Sequence, residues 1–284
     1  MTIESTAQNR ARAISVQRPK WFGMDESRYA DIVKASSVPA LGMISESIKE
    51  DGTMRLARIL FSGYSTVLRI PCSWTIKSNP IKERYVFKLL QGWCQSICRQ
   101  CRMKLLVSGQ ELLDKAQSYL FVVNHISPLD MAVMYATLPL NATVIADSLF
   151  SSLPLLSYWM RLTSSVFVER GNAINEYAAL KEMVRQLRQG RSLVLFPEGA
   201  LSNGRGLLEF RRGGIHSALI AHVPIVPVCL TGVDEVLAAG SLTVIPGRRV
   251  SVQYAEPIDP DSLDDDSYKH IELVLRDRIA AMQS

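Results

Sequence analysis

Short apolar runs bounded by turn residues alternate with longer stretches in which apolar positions recur at helical spacing. Residues Lys104–Ser108, Tyr119–Val123, Asn141–Ala146, Val166–Val168, Ser192–Phe196, Pro224–Leu230, Leu242–Ile245 and Val250–Tyr254 read as strands. Between them, Met131–Leu138, Leu153–Leu162 and Gly214–His222 read as helices, and Ser267–Met282 closes the chain as an amphipathic one. The clearest helix runs from Asn172 to Gln189, with Ile174, Tyr177, Leu180, Val184 and Leu187 on one side and Gly190 as its stop. This alternation predicts an α/β fold, a mixed, mostly parallel sheet flanked by helices.

The pattern changes before residue 104. Residues 54–103 read as two helices broken near Pro71 and Asn79-Pro80. The first, Ile59–Leu68, is apolar but is cut by Arg69, and a spanning helix needs about 20 apolar residues. The second, Tyr85–Met103, interleaves Val86, Phe87, Leu89, Leu90, Trp93 and Ile97 with Lys88, Arg99 and Arg102. Such a helix either lies in the headgroup plane of an anionic membrane or docks on a globular body, and the charge favours the membrane. Residues 54–106 hold ten Lys/Arg against one acid, Glu83, whereas the other residues hold 22 basic and 26 acidic. The division expected is therefore an arm over 1–53, membrane-associating amphipathic helices over 54–103, and an α/β domain over 104–284.

Composition narrows the classes. The chain has 284 residues and is 48% apolar, ample for a large core. Its polar N-terminal stretch lacks the apolar segment of a secretion signal, and five cysteines are an odd number, so no disulfide framework is expected. Cys94, Cys98 and Cys101 share a helical face without a histidine or fourth cysteine nearby, which reads as small buried hydrophobes rather than a metal site. No recognised nucleic-acid motif accompanies the basic segment, so no nucleic-acid partner is expected.

Chemistry concentrates where the strand ending at Val123 meets the helix opening near Asp130. His125 and Asp130 are five residues apart, about 140° on a continuous helix, and would not meet there. If His125 precedes the helix, the chain can fold back so that Asp130 holds one imidazole nitrogen and leaves the other as a base. The same residues also spell a helix start, with Ser127 as N-cap, Pro128 at the first helical position and Asp130 completing a capping box. His216 and His222 read as structural histidines, and His270 as solvent-exposed. No Gly-x-Ser-x-Gly elbow marks a serine hydrolase or thioesterase.

Four blocks at strand ends now stand in order: Asn124-His125-x4-Asp130, Val166–Arg170, Phe196-Pro197-Glu198-Gly199 and Val223–Pro227. Together they resemble the motifs of the glycerolipid acyltransferase family, which includes the 1-acylglycerol-3-phosphate acyltransferases. Val250–Ile258 is similar to that family's closing strand, and the resemblance covers about residues 104–260. It implies an O-acyltransferase that moves a fatty acyl chain from acyl-CoA or acyl carrier protein to a membrane lysolipid, without metal or bound cofactor. In that role His125 is the base and Asp130 its orienting partner. Arg170, Glu198, Gly199, Arg205 and Arg211 hold the acceptor, and Pro224 and Pro227 lie near the donor. The implied location is a membrane's cytoplasmic face, peripheral or monotopic. Two departures bear on the acceptor. The family commonly reads Thr-Arg-Ser after Phe-Pro-Glu-Gly, where this chain has Ala200-Leu201-Ser202, and Asp147 stands where a lysine is often found. Arg205, Arg211 or Arg212 would have to substitute. The leading acceptor is 1-acylglycerol-3-phosphate. The alternatives are a lyso-aminolipid, another lysophospholipid, or a non-catalytic lipid-binding protein of the same fold.

Overall fold

The computed structural model describes residues 54–55, 79–148, 157, 160–202 and 204–283. The reading of an arm over 1–53, the helix over Ile59–Leu68 and most of that over Leu153–Leu162 lie outside these residues. A short strand β1 (Met54–Arg55) pairs antiparallel with β8 (Thr243–Val244). The main sheet has seven strands in the order β2-β9-β7-β3-β6-β4-β5. These are β2 (Lys104–Ser108), β3 (Leu120–Val123), β4 (Ala142–Asp147), β5 (Val166–Val168), β6 (Ser192–Leu195), β7 (Ile225–Thr231) and β9 (Arg249–Tyr254). Strands β7, β3, β6, β4 and β5 are parallel; β9 runs antiparallel to β7, and β2 parallel to β9. The expected mixed, mostly parallel sheet is present.

Strand β3 shows why the sheet needs cover on both sides. All four of its residues are buried, and their alternation sends Phe121 and Val123 to one core and Leu120 and Val122 to the other. The first core is closed by α1 (Asn79–Gln100) and α2 (Asp130–Thr137), the second by α3 (Ala173–Arg188), α4 (Arg212–Ala221) and α7 (Ile271–Met282). A short α5 (Val233–Val236) follows β7.

Two elements differ from the sequence reading. The apolar stripe of α1 does not face outward: Val86, Phe87, Leu90, Trp93, Ile97 and the three cysteines are buried in the first core. Periodicity reports that a stripe must leave water, not what covers it, and here the cover is α2 and the sheet. The closing helix is broken, because Asp264 caps α6 (Asp265–Lys269) by accepting the Ser267 N–H, and His270 leaves helical geometry before α7 begins. His222, read as a structural histidine, is an exposed helix cap paired with Asp261 at 2.6 Å.

Burial pushes the Cys98 thiol up to about 12 and those of Cys101 and Cys229 to about 11, and raises Cys94 as well. Thiolate is the reactive form. An aromatic disulfide reagent at pH 8 should therefore label at most one of the five cysteines promptly in the folded protein and all five after denaturation. Prompt labelling of several would contradict this packing.

Candidate functional site

The four neighbouring strands β3, β6, β4 and β5 deliver the site residues at one end of the sheet. His125 follows β3, Glu198 follows β6, Asp147 ends β4 and Arg170 follows β5. After β3 the chain goes to α2 in one layer; after the adjacent β6 it goes to α4 in the other. A crevice opens where such connections diverge, at the carboxyl ends of the strands.

His125 is held from three directions. Its Nδ1 lies 2.8 Å from Asp130 Oδ2, which also accepts the backbone N–H groups of Ile126 at 2.6 Å and Ser127 at 2.8 Å. The capping reading and the catalytic reading are thus one construction, because the carboxylate that closes the turn before α2 also grips the imidazole. With Nδ1–H donated to Asp130, Nε2 keeps a lone pair for a proton. The ring rests 4.5 Å from the Phe196 ring, and the side chain retains 25% exposure, so one edge faces the crevice. On the backbone, Glu198 Oε1 accepts the His125 N–H at 2.8 Å while the Ser202 N–H donates to the His125 carbonyl at 2.9 Å. Glu198 Oε2 accepts the Leu208 N–H, which fastens the 199–208 loop to the same carboxylate.

Both acids are buried, and burial pushes the carboxyls of Asp130 and Glu198 above the usual range. For Asp130 the imidazole and two backbone N–H donors oppose it; for Glu198 the His125 and Leu208 N–H groups do. Glu198 is therefore a positioning residue for His125 and the loop. Ser202 and Asn124 were missed by sequence reasoning. The Asn124 amide donates to the Leu230 carbonyl at 2.9 Å and accepts the Leu230 N–H at 2.7 Å, tying the end of β3 to β7. Only the asparagine's place next to His125 signalled it. Ser127 is buried with its hydroxyl donated to the Leu237 carbonyl at 2.7 Å, so it is not an available nucleophile.

Arg170 donates from Nη1 to the Gly199 carbonyl, and its Nε stands 3.4 Å from Asp147. Burial lowers its pKa first; the nearby Arg211 charge adds to that, and Asp147 and Glu176 oppose it. Of the three arginines offered as substitutes for the motif arginine, Arg211 is the one close enough to Arg170 to act on its charge. Arg212 is taken by Glu272 at 3.2 Å and by the Lys269 carbonyl, and Arg205 is exposed on the loop. Gly199 has φ +69, and a Cβ there would sit 2.2 Å from Arg170 Nη1. Gly199→Ala should cost about 1–2 kcal/mol for the left-handed backbone and also displace the guanidinium. The expected result is a lowered melting temperature together with acceptor KM raised about tenfold. An unchanged KM would show that Arg170 does not meet the acceptor.

Pro224 and Pro227 are not brought to this site. Pro224 precedes β7 at the opposite end of the sheet, where its carbonyl accepts the Leu120 N–H, about 13 Å of strand below Val123. Pro227 is buried inside β7, paired with Val122, and its carbonyl accepts the Ala255 N–H. They shape the strand, Pro224 at its start and Pro227 within it.

The site is that of an α/β protein with a histidine–carboxylate pair at the switch point of a mostly parallel sheet, near Arg170 and Arg211. The Acyltransferase family model matches residues 104–231. A 1-acyl-sn-glycerol-3-phosphate acyltransferase of Cocos nucifera is 31% identical over 220 residues, 72% of this chain and 71% of that protein. The chain belongs to the glycerolipid acyltransferase family. A like-named protein of Limnanthes alba is 33% identical over 156 residues, 55% of this chain and about half (54%) of the relative's length. A lyso-ornithine lipid O-acyltransferase of Pseudomonas aeruginosa is 28% identical over 201 residues, 66% of this chain and 74% of that one. The crystal structure of the 1-acyl-sn-glycerophosphate (LPA) acyltransferase PlsC from Thermotoga maritima shares the fold, with a TM-score of 0.66 at 23% identity over 80% of this chain and 91% of that one.

Proposed function

We propose that the protein transfers a fatty acyl group from a thioester, on coenzyme A or acyl carrier protein, to the free hydroxyl of a lysolipid. The observation that supports it most is the His125–Asp130 pair, with Nδ1 engaged and the imidazole a quarter exposed. In this reading Nε2 takes the proton of the acceptor hydroxyl as its oxygen attacks the thioester carbonyl. Asp130 stabilises the imidazolium, and the same proton passes to the departing sulfur when the tetrahedral adduct collapses. Atoms balance without a metal or prosthetic group, because the thioester is already activated.

The acceptor proposed first is 1-acylglycerol-3-phosphate, the substrate class in the relatives' names. Two guanidiniums, Arg170 and Arg211, sit close together, with Asp147 against Arg170 and Glu176 near it, and a pair of cations favours an anion between them. A second reading rests on Asp147. A buried carboxylate against Arg170 and an apolar Leu201 lower the site's positive charge, which suits a headgroup carrying less negative charge, such as an amino-acid lysolipid or a phosphodiester. Acyl transfer to a panel of lysolipids, from acyl-CoA and from acyl carrier protein, separates them. With a phosphate acceptor, Arg211→Ala should raise KM about tenfold at nearly constant kcat, and Arg205→Ala should change it less than twofold. If the amino-acid lysolipid is used at least tenfold better than 1-acylglycerol-3-phosphate, the second reading stands. Absence of transfer to any acceptor would contradict both.

A further inference from the structure

The apolar stripe of α1 is taken up by the core, so it is not available to a bilayer. Among the described residues no helix is long and apolar enough to cross a membrane. The cations at the end of α1 nonetheless converge with a second set that is remote in sequence. The Lys104 N–H donates to the Arg248 carbonyl at 2.8 Å, the Gly247 N–H donates to the Cys101 carbonyl at 3.0 Å, and Lys104 is the register partner of Arg249. These bonds draw the end of α1, the start of β2 and the start of β9 into one rim carrying Arg99, Arg102, Lys104, Arg248 and Arg249, all exposed. Among the described residues the one carboxylate paired with this group is Glu235, 4.0 Å from Arg248.

Large apolar side chains stand in the open beside these cations: Leu106 is 59% exposed, Leu242 56% and Ile245 43%. The rim lies at the catalytic end of the sheet. Because β9 runs antiparallel to β7, its first residue falls beside the carboxyl end of β7, where His125 also emerges from the neighbouring β3. The turn that carries Ile245 is bonded to Val236 at 2.8 Å, and the adjacent Leu237 carbonyl accepts the Ser127 hydroxyl two residues from His125.

We propose that this rim is a docking surface for an anionic lipid bilayer. Leu106, Leu242 and Ile245 enter the headgroup layer, and the surrounding Lys/Arg side chains meet lipid phosphates. Cations near such a surface contribute roughly a fivefold gain in partitioning each, and interleaved apolar residues fit the headgroup boundary. A nucleic acid would satisfy the cations and leave the leucines and isoleucine in water, so charge and apolar exposure together favour lipid. Docked this way, the protein faces the layer that holds a lysolipid with the end of the sheet that carries His125. The kinetic arm of the test rests on the acyltransferase reading; the binding arm does not.

The test uses the full chain and vesicles of phosphatidylcholine with or without about one third phosphatidylglycerol. Lys104→Glu/Arg249→Glu should lower partitioning into anionic vesicles at least tenfold, with wild-type binding weakened by salt. Leu242→Ser/Ile245→Ser should lower it severalfold at every salt concentration. A matched reversal on the opposite layer, Lys181→Glu/Arg278→Glu, should stay within twofold of wild type. With acceptor dispersed in detergent, both rim variants should transfer acyl groups at the wild-type rate, yet fall at least tenfold with acceptor held in anionic vesicles. Wild-type vesicle binding by the rim variants would overturn the proposal, as would equal loss in the matched control. So would loss of the detergent activity, or a rim-dependent affinity for duplex DNA greater than that for vesicles. If vesicle binding follows the prediction and no protein transfers an acyl group in either medium, the docking surface stands and the acyltransferase reading fails.

Discussion

His125→Ala should abolish nearly all acyl transfer, lowering kcat by about 10²–10⁴-fold, the usual range for removing a general base. The protein should remain folded, because what holds this segment is mostly backbone. The His125 N–H still reaches Glu198, its carbonyl still accepts from Ser202, and Asp130 still accepts the Ile126 and Ser127 N–H groups. The loss expected in stability is the 4.5 Å ring contact with Phe196 and an unpaired imidazole bond, about 1–2 kcal/mol. A melting temperature within a few degrees of wild type together with a rate at background separates loss of chemistry from loss of fold. A variant retaining a tenth or more of the wild-type rate would sink the assignment of His125 as base.

Asp130→Asn is expected to be the second most damaging change, and it should fail differently. The amide fills the same volume, and its oxygen at the Oδ2 position can still accept the imidazole and both backbone N–H groups. It carries no charge, however, so it holds the imidazole without stabilising the imidazolium that forms when Nε2 takes a proton. A fall in kcat of about 10²–10³-fold at constant acceptor KM is the expected signature. Asp130 is fully buried and receives two backbone N–H groups besides the imidazole, so Asp130→Ala should add instability of about 1–3 kcal/mol for each donor stranded without water. The pH sign follows from burial, which raises the Asp130 carboxyl above its unfolded value. The folded state then binds the proton more tightly than the unfolded state does. This one group adds stability as pH falls through its folded pKa, and loses that contribution above it. Replacing it by Asn should therefore flatten the acid side of a stability–pH profile; an unchanged profile would show that Asp130 does not titrate differently on folding.

Much of the site was legible because its residues follow local rules. A strand that must be buried on both faces reads as an unbroken apolar run, and the break after Val123 and after Phe196 marks where chemistry can sit. The five-residue spacing of His125 and Asp130 forced a fold-back, and the turn before α2 supplies it. What failed to show in sequence depends on partners distant in the chain. Asp147 and Arg170 are 23 positions apart and meet only because β4 and β5 pair. Ser202 reaches His125 across a strand boundary, through its backbone, which no residue type announces. Arg211 could be separated from Arg205 and Arg212 only by seeing that Glu272 occupies the last of these.

The apolar face of α1 goes to the core and not to a membrane. Hydrophobic periodicity is the same for a helix on a membrane and one on a core, so the basic residues alone tilted the reading outward.

The most direct measurement follows the label of a radioactive acyl-CoA incubated with the purified protein and 1-acylglycerol-3-phosphate or an amino-acid lysolipid in detergent. With His125 acting as base on an acceptor hydroxyl, the label should appear in diacylated lipid, in proportion to acceptor, and vanish from that product in His125→Ala. Label released only as free fatty acid, at a rate indifferent to acceptor, would mean that water is the nucleophile and would contradict acyl transfer as the protein's chemistry.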